Sequence, residues 1–238
     1  MRQAVSGALV CWLLAGTALL AADFWEEKDF TSWSDKEVRK MLTDSPWAKR
    51  VNIVMGALQP EASDRYHAAP DPFGFGGVGA APLPGEADAR QFAGIRRTTV
   101  TVLWINALPV RQAVVRAVVG RDAPIPPDGR EFLAEEDPFY TVAVVGLPPP
   151  FALLGRRIDA VKAETMLKRR DRPPVAPELI VLERDDDQSI RALFHFPRTE
   201  AITPAERDVE FVTKLGPVTD IKKKFRLRDM RFGGRLAL

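Results

Sequence analysis

WSDKEVRKMLTDSPW, Trp33 to Trp47, is the stretch around which the rest of the chain can be arranged. Ser34 and Glu37 make an S-x-x-E capping box. The serine hydroxyl accepts the Glu37 amide and the carboxylate reaches back to the Ser34 amide, so a helix begins at Asp35. Trp33 just before the cap and Val38 four positions after it have the spacing of an apolar staple. Val38, Met41 and Leu42 share one helical face, and Asp35, Lys36, Arg39 and Lys40 point away from it. Thr43, Asp44 and Ser45 offer an exit. Ser45-Pro46 reads as a second cap with proline at the first helical position, which puts Trp47 at the start of a new turn. The stretch is thus a short amphipathic helix whose two tryptophans are expected to be buried against a sheet, a structural clamp and not a site.

Toward the N-terminus, Met1-Arg2 is a short positive lead, Ala4 to Leu20 is apolar, and Ala21-Ala22 precede the charged Asp23. That pattern reads as a secretory signal peptide cut after Ala21 or Ala22, in preference to an uncleaved membrane anchor or a lipoprotein signal at Cys11, so residues 1–22 are set apart from the fold and the mature protein is expected in the periplasm or outside the cell. With the leader gone, no transmembrane span is expected. Cys11, the only cysteine, leaves with it, and stability must then come from core burial without disulfides. Lysine plus arginine number 34 against 32 acidic residues. So even a balance excludes a general polyanion binder, and nucleic acid is not an expected partner.

Toward the C-terminus, Arg50 to Met55 alternates as a strand. Residues 57–94 are rich in Gly, Pro and Ala without a hydrophobic period, the composition of a mobile insertion. Gly74, Gly76 and Gly79 match G-x-G-x-x-G there, but a dinucleotide loop must follow a strand and open a helix, and Pro70, Pro72, Pro82 and Pro84 bracket this one. Thr98 to Ile105 is a strand. Leu108-Pro109 opens a helix with Val110, Ala113, Val114, Ala117 and Val118 as its buried stripe, Arg111 and Arg116 on its wet side and Gly120 at its end. A connector with a helical turn near Phe132 leads to the strand Phe139 to Val145, closed by Gly146. Strand, helix, strand suggests a βαβ unit, right-handed if the two strands are parallel neighbours. Residues 151–170 suit a helix or an edge strand equally. From Glu178 on the pattern is strands: a hairpin of Leu179 to Arg184 and Ile190 to Phe196 across Asp185-Asp186-Asp187-Gln188-Ser189, one capped turn at Thr203 to Glu206, then Asp208 to Leu215, Ile221 to Arg228 and a short Arg235 to Leu238. The expected class is α+β. Residues 23–150 form an N-terminal helix with a βαβ-containing sheet layer, and residues 151–238 a mainly antiparallel sheet or small sandwich.

Catalytic side chains are scarce. The histidines are His67, in the insertion, and His195, which alternation places with Leu193 and Pro197, opposite Phe194 and Phe196. A strand histidine among apolar neighbours is first a packing residue and only second a general base. No G-x-S-x-G or H-E-x-x-H occurs, and two distant histidines without a thiolate do not make a zinc site. Asp185 to Asp187 lack the alternating ligands and central glycine of a calcium loop. No cofactor is expected. In Ile221 to Arg228, period-2 alternation puts Lys222, Lys224, Arg226 and Arg228 on one face. These four residues either protect and solvate an edge or contact an anionic envelope partner such as lipid headgroups or acidic glycan.

WSDKEVRKMLTDSPWA, with WINALPVRQA and LFHFPR, resembles a family of exported bacterial proteins that carry a W-[ST]-D-K-x-V-x-K-x-L-x-D-S-P-W-A signature. The resemblance covers most of the mature chain and implies export. It brings no activity and no site residues. Export and the poverty of catalytic groups favour a non-enzymatic envelope protein that binds or scaffolds. The alternative is an envelope hydrolase built on carboxylates drawn from Asp44, Glu135, Glu136 and Asp137, which needs two of them facing across a cleft.

Overall fold

The computed structural model of the chain describes residues 23–55, 96–216 and 219–238. The leader at 1–22 and the insertion at 57–94, with its glycine motif and His67, lie outside the described residues. After a short helix α1 (Phe24–Glu27) and a 3-10 turn (Phe30–Ser32), the capping box opens helix α2 (Asp35–Thr43). Glu37 Oε2 accepts from the Ser34 amide at 2.9 Å, and Ser34 Oγ accepts from the Glu37 amide at 3.4 Å. Trp33, Val38, Met41 and Trp47 are all buried, Trp33 and Trp47 to within 1% of full burial.

The expected second helical start at Ser45-Pro46 does not form. Ser45 Oγ donates to the Met41 carbonyl at 2.7 Å and accepts from the Ala48 amide at 3.2 Å. One hydroxyl therefore ends the helix and turns the chain straight into strand β1 (Ala48–Met55). Trp47 already belongs to the sheet, since its carbonyl accepts from the Trp104 amide at 2.8 Å.

Strand β2 (Arg96–Trp104) is followed by helices α3 (Leu108–Val119) and α4 (Pro127–Ala134) and then by strand β3 (Phe139–Leu147). β2 and β3 are antiparallel neighbours, with Trp104 opposite Val142, so the expected parallel crossover is corrected. The cause is α4. One packed helix carries a chain to the far end of a sheet, whereas α3 and α4 together run out and back and deliver it to the end it left. Gly146 does not end β3. At φ +84° it sits in a bulge between Val144 and Leu147, a backbone shape that favours glycine.

Residues 149–169 contain both expected alternatives. A 3-10 segment (Pro149–Arg157) leads into helix α5 (Ile158–Ala163), and strand β4 (Met166–Arg169) follows. Strands β5 (Leu179–Arg184) and β6 (Ile190–Pro197) make the expected hairpin. It joins the first sheet, whose order is β1-β2-β3-β6-β5, so sheet pairing runs across the boundary expected at residue 150. Strands β7 (Asp208–Gly216) and β8 (Thr219–Arg226) complete a second, three-stranded sheet, β4-β7-β8. A small hairpin, β9 (Arg231–Phe232) and β10 (Arg235–Leu236), turns on Gly233-Gly234, both at positive φ as a tight primed turn requires.

Every named pairing is antiparallel, and the class is α+β with an N-terminal helix and antiparallel sheets in the C-terminal part. The sheets are joined by edge-to-face aromatic contacts. Phe211 stands 5.2 Å from Phe194 and 6.2 Å from Phe196, and Trp104 5.7 Å from Phe225. Thr219 Oγ1 donates to the Val54 carbonyl at 2.8 Å where β8 meets β1. On the outer side of the five-stranded sheet, α3 packs against α2 and α4.

Packing also corrects the expected faces of α3. Arg111 and Arg116 are buried, while Ala117 and Val118 of the expected stripe are exposed, Val118 by 81%. Burial follows the side that the neighbours α2 and α4 cover: Arg116 is 2% exposed in the same turn in which Ala117 and Val118 are exposed. Among the described residues no helix is long and apolar enough to cross a membrane.

Candidate functional site

A hollow of about 150 Å³ lies where the start of α3 and the end of α4 cover the outer face of β3 and β6. Ile105, Phe132 and Leu193 supply apolar wall; Asn106, Arg111, Glu135, Asp137, Thr141 and His195 supply the polar groups. Larger depressions, about 530 Å³ beside Val161 and Leu215 and about 570 Å³ along the acidic side of α4, lack this convergence of buried polar atoms.

The polar groups are fixed by one another. Asn106, in the turn after β2, accepts the Thr141 amide on Oδ1 at 2.6 Å and donates through Nδ2 to Asp137. The other oxygen of Asp137 accepts the Phe139 amide at 2.8 Å. Both carboxylate oxygens are thereby engaged in joining the exit of β2 to the entry of β3. The Thr141 hydroxyl meets His195 Nδ1 at 3.0 Å, and the imidazole packs edge-on against Phe139 with ring centres 5.7 Å apart. Alternation had placed His195 on the side shared with Leu193, and both line the hollow.

Arg111 is the unusual member. Only 9% exposed, it donates from Nη1 to the Glu135 carbonyl at 2.6 Å and lies 4.8 Å from the Phe132 ring centre. Its Nε is buried with no hydrogen-bond partner, and no carboxylate among the described residues lies within ion-pair distance of it. Burial lowers its affinity for the proton, offset in part by the charges of Glu135 and Asp137. A buried guanidinium without a facing anion is costly, and proteins usually pair such groups. Arg116 is buried too, and its Nε and Nη2 lack partners. Gln112, one turn earlier, has a buried and equally unpartnered Oε1.

The carboxylates considered for hydrolysis do not converge. Asp44 stands at the end of α2, Glu135 and Glu136 are exposed, and Asp137 is occupied as described. Among the described residues, no group of three or more His, Cys, Asp or Glu side chains is placed to hold a metal ion.

On the second sheet, Lys222, Lys224 and Arg226 are exposed on the outer face of β8, and Arg228 is exposed in the turn beyond it. Ile221, Phe225 and Leu227 are buried on the other side, and Lys223 is half-buried there. The face is less positive than its own strand suggests. Register sets Glu210 opposite Lys224 and Asp208 opposite Arg226, and Lys224 Nζ is 3.6 Å from Asp208. Lys168 of β4 adds a cation on the far side of Glu210.

Arg111, Asn106 and Thr141 had no functional signal in the sequence. Arg111 was concealed by the apolar spacing of its own helix, and Asn106 and Thr141 matter only because β3 returns antiparallel beside β2. No family model, curated protein or solved structure matches this chain.

Proposed function

We propose that this is an exported envelope protein that binds, with the hollow between α3, α4 and the outer sheet face as its binding site. One observation carries the site: fixed polar groups and apolar walls converge on a hollow that also holds a buried, unpaired guanidinium. Small-molecule sites combine an apolar lining with a few convergent polar groups in this way. Export rests on the leader composition of residues 1–22 and on the resemblance of WSDKEVRKMLTDSPWA to the signature of exported bacterial proteins. Hydrolysis by paired carboxylates has less support, because Asp137 is hydrogen-bonded on both oxygens and Glu135 is exposed.

The test is native mass spectrometry of the mature chain recovered undenatured from its envelope fraction, beside Leu193→Trp, which fills the hollow. A non-covalent small-molecule adduct on the parent and none on the variant is the expected result. A ligand-free parent, or an adduct that survives Leu193→Trp, overturns the assignment of the site. A cytoplasmic pool of full-length chain still carrying Met1 to Ala22 overturns export.

A second contact is supported by the exposure of all four of Lys222, Lys224, Arg226 and Arg228. We place an anionic envelope surface there. Co-sedimentation with anionic vesicles that is unchanged by reversing these four charges rules it out.

A further inference from the structure

We infer that the occupant of the hollow is a small carboxylate-bearing molecule whose carboxylate pairs with Arg111. This deepens the binding assignment above and rests on it.

Four facts point the same way. Arg111 as a residue is only 9% exposed, yet it has no ion-pair partner among the described residues. One of its N–H groups is spent on the Glu135 carbonyl, and Phe132 covers a face of it, which holds the planar fork in place. Its Nε is left as a buried donor aimed at nothing. Of the two carboxylates on the hollow's wall, Asp137 already accepts two hydrogen bonds and Glu135 is exposed, and neither is within ion-pair distance of Arg111. A planar, fixed fork with spare donors matches a carboxylate better than it matches any neutral polar group.

The rest of the wall sets size and shape. Ile105, Phe132 and Leu193 give the ligand an apolar body to sit against. A volume of about 150 Å³ matches an engineered cavity that accepts benzene, so a ligand body of about five carbons fits. Glu135 and Asp137 make the surroundings less welcoming to a bare dianion, which restricts the class to single carboxylates on a compact apolar body.

The experiment titrates the mature protein with three compounds of one shape, isovalerate, isovaleramide and isoamylamine, and follows amide resonances around Ile105, Thr141 and Leu193. The acid is expected to bind roughly ten- to a hundredfold more tightly than the amide, the usual value of a hydrogen bond to a charged group. On the unaltered protein, the Arg111 Nε–H resonance should move with the acid and stay still with the amide. Arg111→Gln should erase the preference for the acid, and Arg111→Lys should restore only part of it, because a point charge replaces a fork. The Nε–H readout needs no variant and so does not depend on how Arg111→Gln folds. Binding of amide or amine as tight as the acid overturns the carboxylate assignment and leaves the binding site standing. No perturbation of these resonances by any of the three removes both.

Discussion

Arg207 is an exposed residue at φ +63° and ψ −53°, close to a γ-turn geometry that L-residues rarely adopt. It is held there between the capped turn Pro204–Glu206 and β7, where its carbonyl accepts the Leu227 amide at 2.8 Å. Glycine adopts such a φ without strain, and its entropic cost is smaller than the strain removed. Arg207→Gly should therefore raise stability by about 1 kcal/mol, read as a higher urea midpoint at unchanged m-value. A lowered midpoint counts against strain at this residue. Glu37 offers a test in pH. Its hydrogen bond from Lys28, then that from the Ser34 amide, hold its carboxyl down from the usual 4.5 to about 2. A group whose folded pKa is lowered stabilises the fold above its unfolded pKa, and that contribution is lost as pH falls through the folded value. The parent should thus exceed Glu37→Gln in stability above about pH 4.5, with the gap closing toward about pH 2. Because Lys28 is half exposed, the gap should be about 1 kcal/mol at most. A pH-independent difference would assign the effect to cap geometry alone.

At the scale of elements, β4 is tied to the turn before β7 by a buried ion pair. Arg169 Nε and Nη2 donate to the two carboxylate oxygens of Glu206 at 2.8 and 2.7 Å, and further N–H groups reach the Glu200 and Ala201 carbonyls. Each charge favours the other: the Glu206 carboxyl is held below its ordinary range, first by the Arg169 hydrogen bond, and the Arg169 guanidinium is held above its own. Removing one partner strands the other, so Glu206→Gln should cost about 3–5 kcal/mol in urea unfolding. The double replacement Arg169→Met with Glu206→Gln should recover part of that loss; a double loss equal to the sum of the losses of Arg169→Met and Glu206→Gln alone would mean that the pair is not coupled. Nothing in the sequence indicates this pair, because Thr203-Pro204-Ala205-Glu206 reads as a cap and Glu206 does serve as one, accepting the Thr203 amide at 3.1 Å. A local pattern names a residue's neighbours in the chain and is silent about the strand packed on it. The same limit explains α3: the spacing of Val110 and Ala113 located the helix, but which of its other side chains were buried depended on α2 and α4. It explains β2 and β3 as well, since eight helical residues at Pro127–Ala134, more than the single turn expected there, decide whether the next strand returns or continues. The β5–β6 hairpin and the start of α2 were legible because turn chemistry and capping act within a few residues. The hollow was not, because its walls come from four separate elements and two loops.

For the whole molecule, the opening tryptophans act at longer range than a clamp on one helix. Edge-to-face contacts run from Trp33 to Phe24 at 5.2 Å, Phe24 to Trp25 at 5.0 Å and Trp25 to Trp47 at 5.7 Å. Trp47 Nε1 then donates to the Ala237 carbonyl at 2.7 Å, and Arg198 Nη2 to that of Leu238 at 2.9 Å. Segments separated by 190 positions are thus joined through one fully buried indole. Arg198 also donates to the Phe139 carbonyl at 3.0 Å and lies 4.3 Å from the Tyr140 ring centre, which links the last residues to β3. If the two ends and both sheets form one cooperative unit, damage at Trp47 must be felt everywhere. Trp47→Ala should cost about 3–5 kcal/mol through the cavity it leaves. Trp47→Phe keeps most of the apolar bulk and loses the indole N–H, so it should cost less, about 1–2 kcal/mol, with the Ala237 carbonyl left unpaired. The decisive measurement is hydrogen exchange in Trp47→Ala on amides of β7 and β8, in the second sheet. One cooperative unit requires their protection to fall by the same free energy as that of β1 and β2, whereas loss confined to residues 23–55 and 230–238 would show that the ends are a separate, weaker layer over a sandwich that stands without them.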